Sequence, residues 1–286
     1  MKTGILYKPY GRQFARFGNE RFKVIRELGF SSVDYNICDT DYELYGLSVS
    51  ELRTFLENEK SALASAGVSV SQIHGPWRWP PMDATLANRA ERMEKMKKSI
   101  AITAALGAKY WVVHPLMPFD TQDKTIGKEK ETREINLAFW RELLPCAKEH
   151  GVVICLENMP MLNFSLATPE DILDFVREID DESFAVCLDT GHVAVFDELR
   201  VADEVRRLGS YIKVLHVHDN LGDKDAHLCP GLGRTDWQSF SCALGEIGFA
   251  GVLSLETAPG GALDDGDFLE EARVLADNAR RIAECV

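Results

Sequence analysis

Several features that define other protein classes are missing from this chain of 286 residues. No apolar run approaches the roughly 20 residues that a membrane span needs, and the segment that begins at Met1 lacks the apolar stretch of a signal peptide. The seven cysteines form no Cys-x-x-Cys pair, so we expect reduced thiols rather than disulfides. These absences favour a cytoplasmic protein without a membrane partner.

Basic residues are also few in comparison with acidic ones. Lys and Arg together number 32 and Asp and Glu number 45, which gives a formal net charge of -13. Proteins that bind nucleic acid usually present a basic face, because the phosphate backbone must be neutralised. We therefore expect a small-molecule partner and no nucleic acid.

A repeat of short β-rich runs and helical patterns extends along the whole chain. The eight predicted strands cover residues 3–7, 32–36, 68–74, 110–114, 152–157, 185–189, 214–218 and 252–256. Helical periodicity between them is clearest over about 84–106 and 268–283. Alternating strands and helices are typical of a parallel sheet.

Local signals mark the ends of several helices. Ser48 with Glu51 makes a capping box, and Thr168 followed by Pro169 places a cap before an N1 proline. Gly67, Gly107 and Gly151 each stand before a strand, where a helix must end in a left-handed residue. We therefore expect left-handed conformations at all three glycines.

Eight such units admit either an open sheet or a closed barrel. The glycine-rich phosphate turn that marks the dinucleotide-binding open sheet is absent after the first strand. Polar residues end at least six of the strands, which suits a barrel whose functional groups converge on one face. The sequence therefore predicts an α/β protein, a (β/α)8 TIM barrel forming a single domain over residues 1–286.

These strand ends carry the residue types that bind metals. The histidines and carboxylates in question are His74, His114, Glu157, Asp189, His192, His216 and Glu256, with Asp225 and His227 in the loop before the last strand. A single acid of this kind is more often a helix cap or an ion-pair partner, and a single histidine is more often a core residue. Their recurrence instead indicates a divalent cation, because clustered carboxylates repel one another and imidazoles suit transition metals and zinc.

Two other predictions concern the same face. His218 lies two residues after His216 and either faces the same way or simply bonds a neighbouring residue, so we leave it out of the expected ligand set. Trp77 and Trp79 follow the third strand and can form an apolar wall for a sugar ring, although packing residues near a proline-rich turn look the same.

Six short motifs together resemble one protein family. They are Leu156-Glu157-Asn158, Asp189-Thr190-Gly191-His192, His216-Val217-His218-Asp219, Asp225-Ala226-His227, the run from Pro230 to Trp237, and Leu255-Glu256-Thr257. The chain resembles the xylose isomerase-like TIM-barrel superfamily, also called AP endonuclease family 2. Its members include sugar isomerases and epimerases, inosose dehydratase and the endonuclease IV enzymes.

The resemblance to the epimerases implies one divalent metal, Mn, Mg, Co or Zn. Its ligands would be Glu157, Asp189, His216 and Glu256, with Glu157 and Glu256 also catalytic. His192 and Trp77 are expected to contact the substrate.

The resemblance to the endonucleases implies three zinc ions instead. The further metal or substrate ligands would then be His74, His114, His192, Asp225 and His227.

One residue departs from the pattern of the epimerases. Gly222 stands where some of them have a substrate-binding arginine.

Charge at the rim favours the smaller substrate. Acidic residues without intervening Lys or Arg follow the second and eighth strands, namely Asp39, Asp41 and Glu43, then Asp264, Asp265 and Asp267. Such a rim would repel a DNA backbone, although solvated loops give the same pattern.

The sequence therefore predicts a metal-dependent isomerase or epimerase of a sugar, sugar phosphate or related polyol, acting through an enediolate. An inosose-dehydratase-like lyase, an endonuclease IV-like zinc phosphodiesterase and a non-catalytic binding barrel are the alternatives. A homo-oligomer is left open.

Overall fold

Eight parallel strands occupy the centre of the computed structural model, which describes residues 1–40 and 43–286. They are β1 (Lys2–Tyr7), β2 (Ser32–Asn36), β3 (Ser69–His74), β4 (Tyr110–Val113), β6 (Val153–Glu157), β7 (Phe184–Asp189), β8 (Ile212–His216) and β9 (Val252–Leu255). A further short strand, β5 (Pro118–Thr121), has no place in the order of the eight. Asp41, part of the expected acidic rim, lies outside the described residues.

Helices connect these strands and cover the outside of the sheet. They are α1 (Arg21–Glu27), α2 (Glu43–Gly46), α3 (Val49–Ala66), α4 (Leu86–Ala105), α5 (Glu129–Glu149), α6 (Pro169–Ile179), α7 (Thr190–Ala194), α8 (Val201–Leu208), α9 (Trp237–Glu246) and α10 (Asp265–Glu284). Two 3-10 segments, Phe14–Glu20 and Gly209–Tyr211, complete the connections. In the described part of the chain, no helix is both long and apolar enough for a membrane span.

The sheet runs in the order β8-β7-β6-β4-β3-β2-β1-β9 and closes on itself. Closure is made by a parallel bridge between Val217 and Leu255, where the Val217 N–H donates to the Ser254 carbonyl at 2.8 Å. The Glu256 N–H in turn donates to the Val217 carbonyl at 3.1 Å. This closure confirms the predicted (β/α)8 TIM barrel.

The local helix signals are confirmed as well. The capping boxes at Ser48 and Thr168 are both formed, and Pro169 begins α6. Gly67, Gly107 and Gly151 have φ angles of 65°, 77° and 65°, the left-handed conformation expected of them. Each turn returns the chain to the start of the next strand, so the strand ends meet at the opposite face.

The barrel interior explains where the polar side chains must lie. Below the mouth it is filled by small and branched side chains, Val112, Val153, Cys155, Ala185, Cys187 and Val214. Side chains alternate along a strand, so the next inward position after Cys155 is Glu157 and after Cys187 is Asp189. One correction concerns β8, predicted over residues 214–218: the regular strand ends at His216, and beyond it Val217 makes only an isolated bridge to Leu255.

Candidate metal centre and substrate cavity

Four buried side chains meet at the mouth of the barrel. Glu157, Asp189 and His216 end β6, β7 and β8, and Glu256 directly follows β9. Glu157, Asp189 and His216 are fully buried, Glu256 is 8% exposed, and their ligand atoms lie within 4.8 Å of one another. The structure thus brings together the four residues that sequence analysis assigned to one metal.

Contacts within this group fit a cation. His216 Nδ1 lies 2.8 Å from Glu157 Oε1 and 3.4 Å from Glu256 Oε2. Glu157 Oε2 is buried and has no aligned hydrogen-bond donor among the described residues, although His114 Nε2 lies 3.0 Å away. A buried carboxylate oxygen without a donor is costly, and a divalent ion held by these oxygens and the ring nitrogen would satisfy it.

His74 and His114 extend the group on one side. Their Nε2 atoms lie 3.2 Å apart, and His114 Nε2 lies 3.0 Å from Glu157 Oε2. His74 Nε2 is 3.7 Å from the same oxygen, and His74, Glu157 and His216 form a second set with metal-ligand spacing. Glu157 therefore stands between two sets of ligand atoms.

Asp225 and His227 extend the group on the other side. Asp225 Oδ2 lies 3.3 Å from His192 Nε2 and 3.1 Å from His227 Nε2. His218 Nε2 lies 3.0 Å from Asp189 Oδ2 and belongs to both remaining sets with metal-ligand spacing. Every metal ligand named from the sequence is thus within one continuous cluster.

His218 is a member of this cluster that sequence analysis left out. It is fully buried and its ring lies over Gly191, where an added Cβ would stand 2.0 Å from the ring atom Cε1. The glycine of the Asp-Thr-Gly-His motif is therefore required by the imidazole beside it. The residue spacing alone did not reveal this, since it depends on how β7 and β8 pack.

Backbone carbonyls orient two of the rings. Asn158 O lies 2.7 Å from His192 Nδ1, and Glu256 O lies 2.8 Å from His227 Nδ1. When one ring nitrogen donates to a carbonyl, the other can bind a metal, and in both rings that other nitrogen, Nε2, lies beside Asp225 Oδ2. The Asn158 side chain also bonds the Asp189 backbone at 2.8 and 3.1 Å, which joins the ends of β6 and β7.

The two glutamates differ in their electrostatic surroundings. Burial would raise the pKa of Glu157, but His216 and His114 lower it well below the usual range. Burial raises the pKa of Glu256 well above the usual range, and the charge of Glu157 adds to this against the opposing effect of His216. The neighbouring histidines thus favour the charged form of Glu157, whereas burial disfavours the charged form of Glu256.

A cavity of about 580 Å³ opens above the cluster. Its floor includes His74, His114, His192, Asp225, His227 and Glu256, and its walls include Leu6, Trp77, Trp79, Met159 and Met161. The Trp77 ring contacts the His114 ring edge-on, with centroids 4.4 Å apart, whereas Trp79 is 63% exposed. Lys8, which directly follows β1, also lines this cavity.

The acidic rim has a partly structural role. Asp264 caps α10 by accepting the Asp267 N–H, and Asp265 lies 3.4 Å from Arg16. Both carboxylates are exposed and keep their negative charge at the rim. Gly222 has a φ of 94°, a conformation that strains any residue with a Cβ, so the backbone here disfavours the arginine found in some epimerases.

Asp219 organises the loop that carries Asp225 and His227. Its buried carboxylate accepts N–H groups from five positions, which are Asn220, Gly231, Gly233, Thr235 and the Trp237 indole. A Cβ on Gly233 would lie 2.3 Å from Asp219 Oδ1, which explains the glycine in the Pro230 to Trp237 run.

We predict that Asp219→Ala lowers the free energy of unfolding by about 3 kcal/mol or more, because each buried N–H left without an acceptor costs about 1–3 kcal/mol. Urea denaturation measures the change. Asp236→Ala is the matched control, since it removes only the N-cap of α9 and should cost about 0.5–2 kcal/mol. Equal losses in the two variants would contradict the organising role of Asp219.

Asp34 is a second residue that sequence analysis did not single out. It lies within β2, is fully buried, and places Oδ2 at 2.8 Å from His216 Nε2. The signal was available in principle, because Ser32, Asp34 and Asn36 alternate with apolar residues and so share the inner face of the barrel.

Comparison with known proteins agrees with this architecture. The family model described as xylose isomerase-like TIM barrel matches residues 22–282. The chain therefore belongs to the xylose isomerase-like TIM barrel family.

Individual relatives span more than one activity. D-psicose 3-epimerase from Ruminiclostridium cellulolyticum is 24% identical over 309 aligned positions, covering 100% of this chain and 99% of that protein. A probable endonuclease 4 from Mycoplasmoides gallisepticum is 24% identical over 180 positions, covering 58% of this chain and 57% of that protein. The crystal structure of D-psicose 3-epimerase with D-tagatose from Clostridium cellulolyticum H10 has a TM-score of 0.77 at 22% identity, with 99% of each chain covered. That last likeness shows the fold.

Proposed function

We propose that this protein is a divalent-metal-dependent isomerase or epimerase that acts on a sugar, a sugar phosphate or a related polyol. The observation that carries the proposal is the group of Glu157, Asp189, His216 and Glu256 beside a cavity of about 580 Å³. A cavity of this volume suits a small molecule. The full-length similarity to a D-psicose 3-epimerase supports the same reading.

The four side chains would hold the cation. Three carboxylates and one imidazole, all buried and mutually close, form a donor set that Mn, Mg, Co or Zn accepts. When bound, such an ion would supply Lewis-acid polarisation of a substrate carbonyl.

Proton transfer falls to Glu157 and Glu256. These residues belong to the ends of β6 and β9, which β7 and β8 separate around the barrel. One carboxylate removes the proton from the carbon beside the carbonyl, and the bonding electrons pass to the carbonyl oxygen, giving an enediolate. The other group returns a proton to the same carbon to give an epimer, or to its neighbour to give an aldose-ketose isomer.

Substrate contacts come from the cavity walls. The Trp77 ring offers an apolar face for the carbons of a sugar, and His192 with its partner Asp225 lines the same cavity as a polar contact for a hydroxyl group. Lys8 also lines the cavity, makes no ion pair among the described residues, and would donate to a substrate oxygen.

A zinc phosphodiesterase acting on DNA is the second candidate. It is favoured by one observation, the continuity of the cluster from His74 and His114 through Glu157 to Asp225 and His227. That arrangement has enough ligands for more than one ion. The net charge of -13 weighs against a polyanionic substrate.

The test of the proposal is a panel of ketoses and ketose phosphates incubated with metal-loaded protein and separated by chromatography. At least one ketose is expected to yield its epimer or its aldose isomer. The Glu256→Gln variant, shown to retain metal, serves as the control for contaminating activity. No conversion of any ketose by fully loaded protein would contradict the proposal.

A companion measurement addresses the second candidate. We expect no specific binding of a duplex containing an abasic site at moderate salt, because the chain carries an excess of acidic residues. A gel-shift assay against the matched intact duplex provides the comparison. Tight, salt-sensitive binding together with strand cleavage would favour the phosphodiesterase.

A further inference from the structure

Asp34 is a fully buried carboxylate inside the barrel, below the ligand group. It lies on β2 opposite Gln72 of β3, where the register between these strands shifts after Val33. An ionised carboxylate at such depth is costly unless specific partners compensate it. Among the described residues, no Lys or Arg forms an ion pair with Asp34, so its compensation must come from the barrel interior.

Two side chains meet the Asp34 carboxylate. The Gln72 Nε2 amide donates to Asp34 Oδ2 at 3.1 Å and to the Leu215 carbonyl at 3.1 Å. His216 Nε2 lies 2.8 Å from the same Asp34 oxygen. Gln72 thus ties Asp34 to the backbone next to His216, and the carboxylate is held against one edge of the imidazole.

The opposite edge of that imidazole faces the ligand group. His216 Nδ1 lies 2.8 Å from Glu157 Oε1, so the ring spans the distance between Asp34 and the proposed metal ligands. An imidazole binds a metal through an unprotonated nitrogen, and the proton must then reside on its other nitrogen. A carboxylate beside that other nitrogen fixes both the tautomer and the direction of the ring.

We propose that Asp34 is a positioning residue, which holds the proton of His216 on Nε2 and thereby presents Nδ1 to a divalent metal. His216 Nε2 and Asp34 Oδ2 lie at hydrogen-bonding distance, but the two groups are not aligned for a hydrogen bond in this structure. The proposal is therefore tested by finding which ring nitrogen of His216 carries the proton. The inference is independent of the reaction, because His216 would be a metal ligand in either candidate function.

The first experiment measures metal affinity. Apoprotein is titrated with Mn²⁺ alone in competition with a chelating dye, for the wild type, Asp34→Asn and Ser32→Ala. Ser32 is the matched control because it is fully buried on the same strand and the same face. Asp34→Asn is expected to bind Mn²⁺ about 10–100-fold more weakly, the usual loss when an outer carboxylate partner is removed. Ser32→Ala should retain wild-type affinity.

A second readout separates positioning from a general structural effect and needs no variant. In uniformly ¹⁵N-labelled wild-type protein loaded with Zn²⁺, the ring nitrogens of His216 report which one carries the proton. We expect a protonated Nε2 and a Nδ1 shifted by metal coordination. Equal Mn²⁺ affinity in wild type and a folded Asp34→Asn, or an unprotonated Nε2 in the wild type, would overturn the proposal. If Asp34→Asn does not fold, the wild-type spectrum alone decides.

Discussion

The Asp189→Ala variant is expected to fold and to lose retention of a divalent metal. Asp189 is fully buried and lies in the proposed four-residue ligand group. Loss of a direct ligand should weaken binding by more than the 10–100-fold that outer partners contribute. The metal-to-protein ratio after gel filtration, measured by elemental analysis, gives the result.

The free energy of unfolding must be measured for Asp189→Ala as well, because Asp189 also caps α7 by accepting the His192 N–H at 2.6 Å. Loss of a cap costs about 0.5–2 kcal/mol, which a barrel of this size should survive. Asp189→Asn keeps a capping oxygen and so separates loss of the helix cap from loss of the charged ligand. Asp123→Asn is the matched control for removing a buried charge, since Asp123 is equally buried but accepts the Ser165 N–H at 2.9 Å. Full metal occupancy in Asp189→Ala would refute the assignment.

Glu157→Gln and Glu256→Gln are each expected to slow turnover by about 10²–10⁴, the contribution of a positioned general acid or base. Glutamine keeps the shape of the side chain and removes its ability to transfer a proton. The kcat of each variant on whichever ketose the wild type converts gives the size of the effect. Both residues also belong to the proposed ligand group, so the metal content of each variant is measured before its rate is interpreted.

A control and a partial reaction make this result specific. Glu204 is a buried glutamate on α8 away from the cavity, and Glu204→Gln should keep the wild-type rate. A variant that lacks only the reprotonating group should still exchange the substrate proton with solvent while forming no epimer. Wild-type kcat in a metal-loaded Glu157→Gln or Glu256→Gln would exclude that residue from proton transfer.

Much of the fold could be predicted because its signals are local. The Ser48 and Thr168 capping boxes and the left-handed Gly67, Gly107 and Gly151 depend on a few neighbouring residues, and all are confirmed. Strand ends were predicted less accurately. β8 ends two residues earlier than predicted, and Val217 instead closes the barrel by bonding with Ser254 and Glu256, which are remote in sequence.

In the candidate site, too, some positions could be predicted from the sequence and others depended on packing between strands. Carboxylates that end successive strands converge in any closed barrel, so the grouping of Glu157, Asp189 and Glu256 followed from the fold. The place of His218 did not, because it depends on the contact of its ring with Gly191. Alternation along β2 places Asp34 on the inner face of the barrel, but only the folded structure shows that it lies beside His216.

The acidic rim needed the structure for a different reason. Asp264 and Asp265 are exposed and negatively charged as expected, but one also caps α10 and the other lies 3.4 Å from Arg16. A charge pattern in sequence does not reveal which charges are already used by the fold.

Exchange of a substrate hydrogen with solvent tests the central claim most directly. Metal-loaded protein is incubated in heavy water with ketoses and ketose phosphates, and the carbon beside the carbonyl is followed by proton NMR. If Glu157 and Glu256 move a proton across an enediolate, at least one ketose will gain deuterium at that carbon. No exchange into any ketose, from protein whose metal content is verified, would contradict the account.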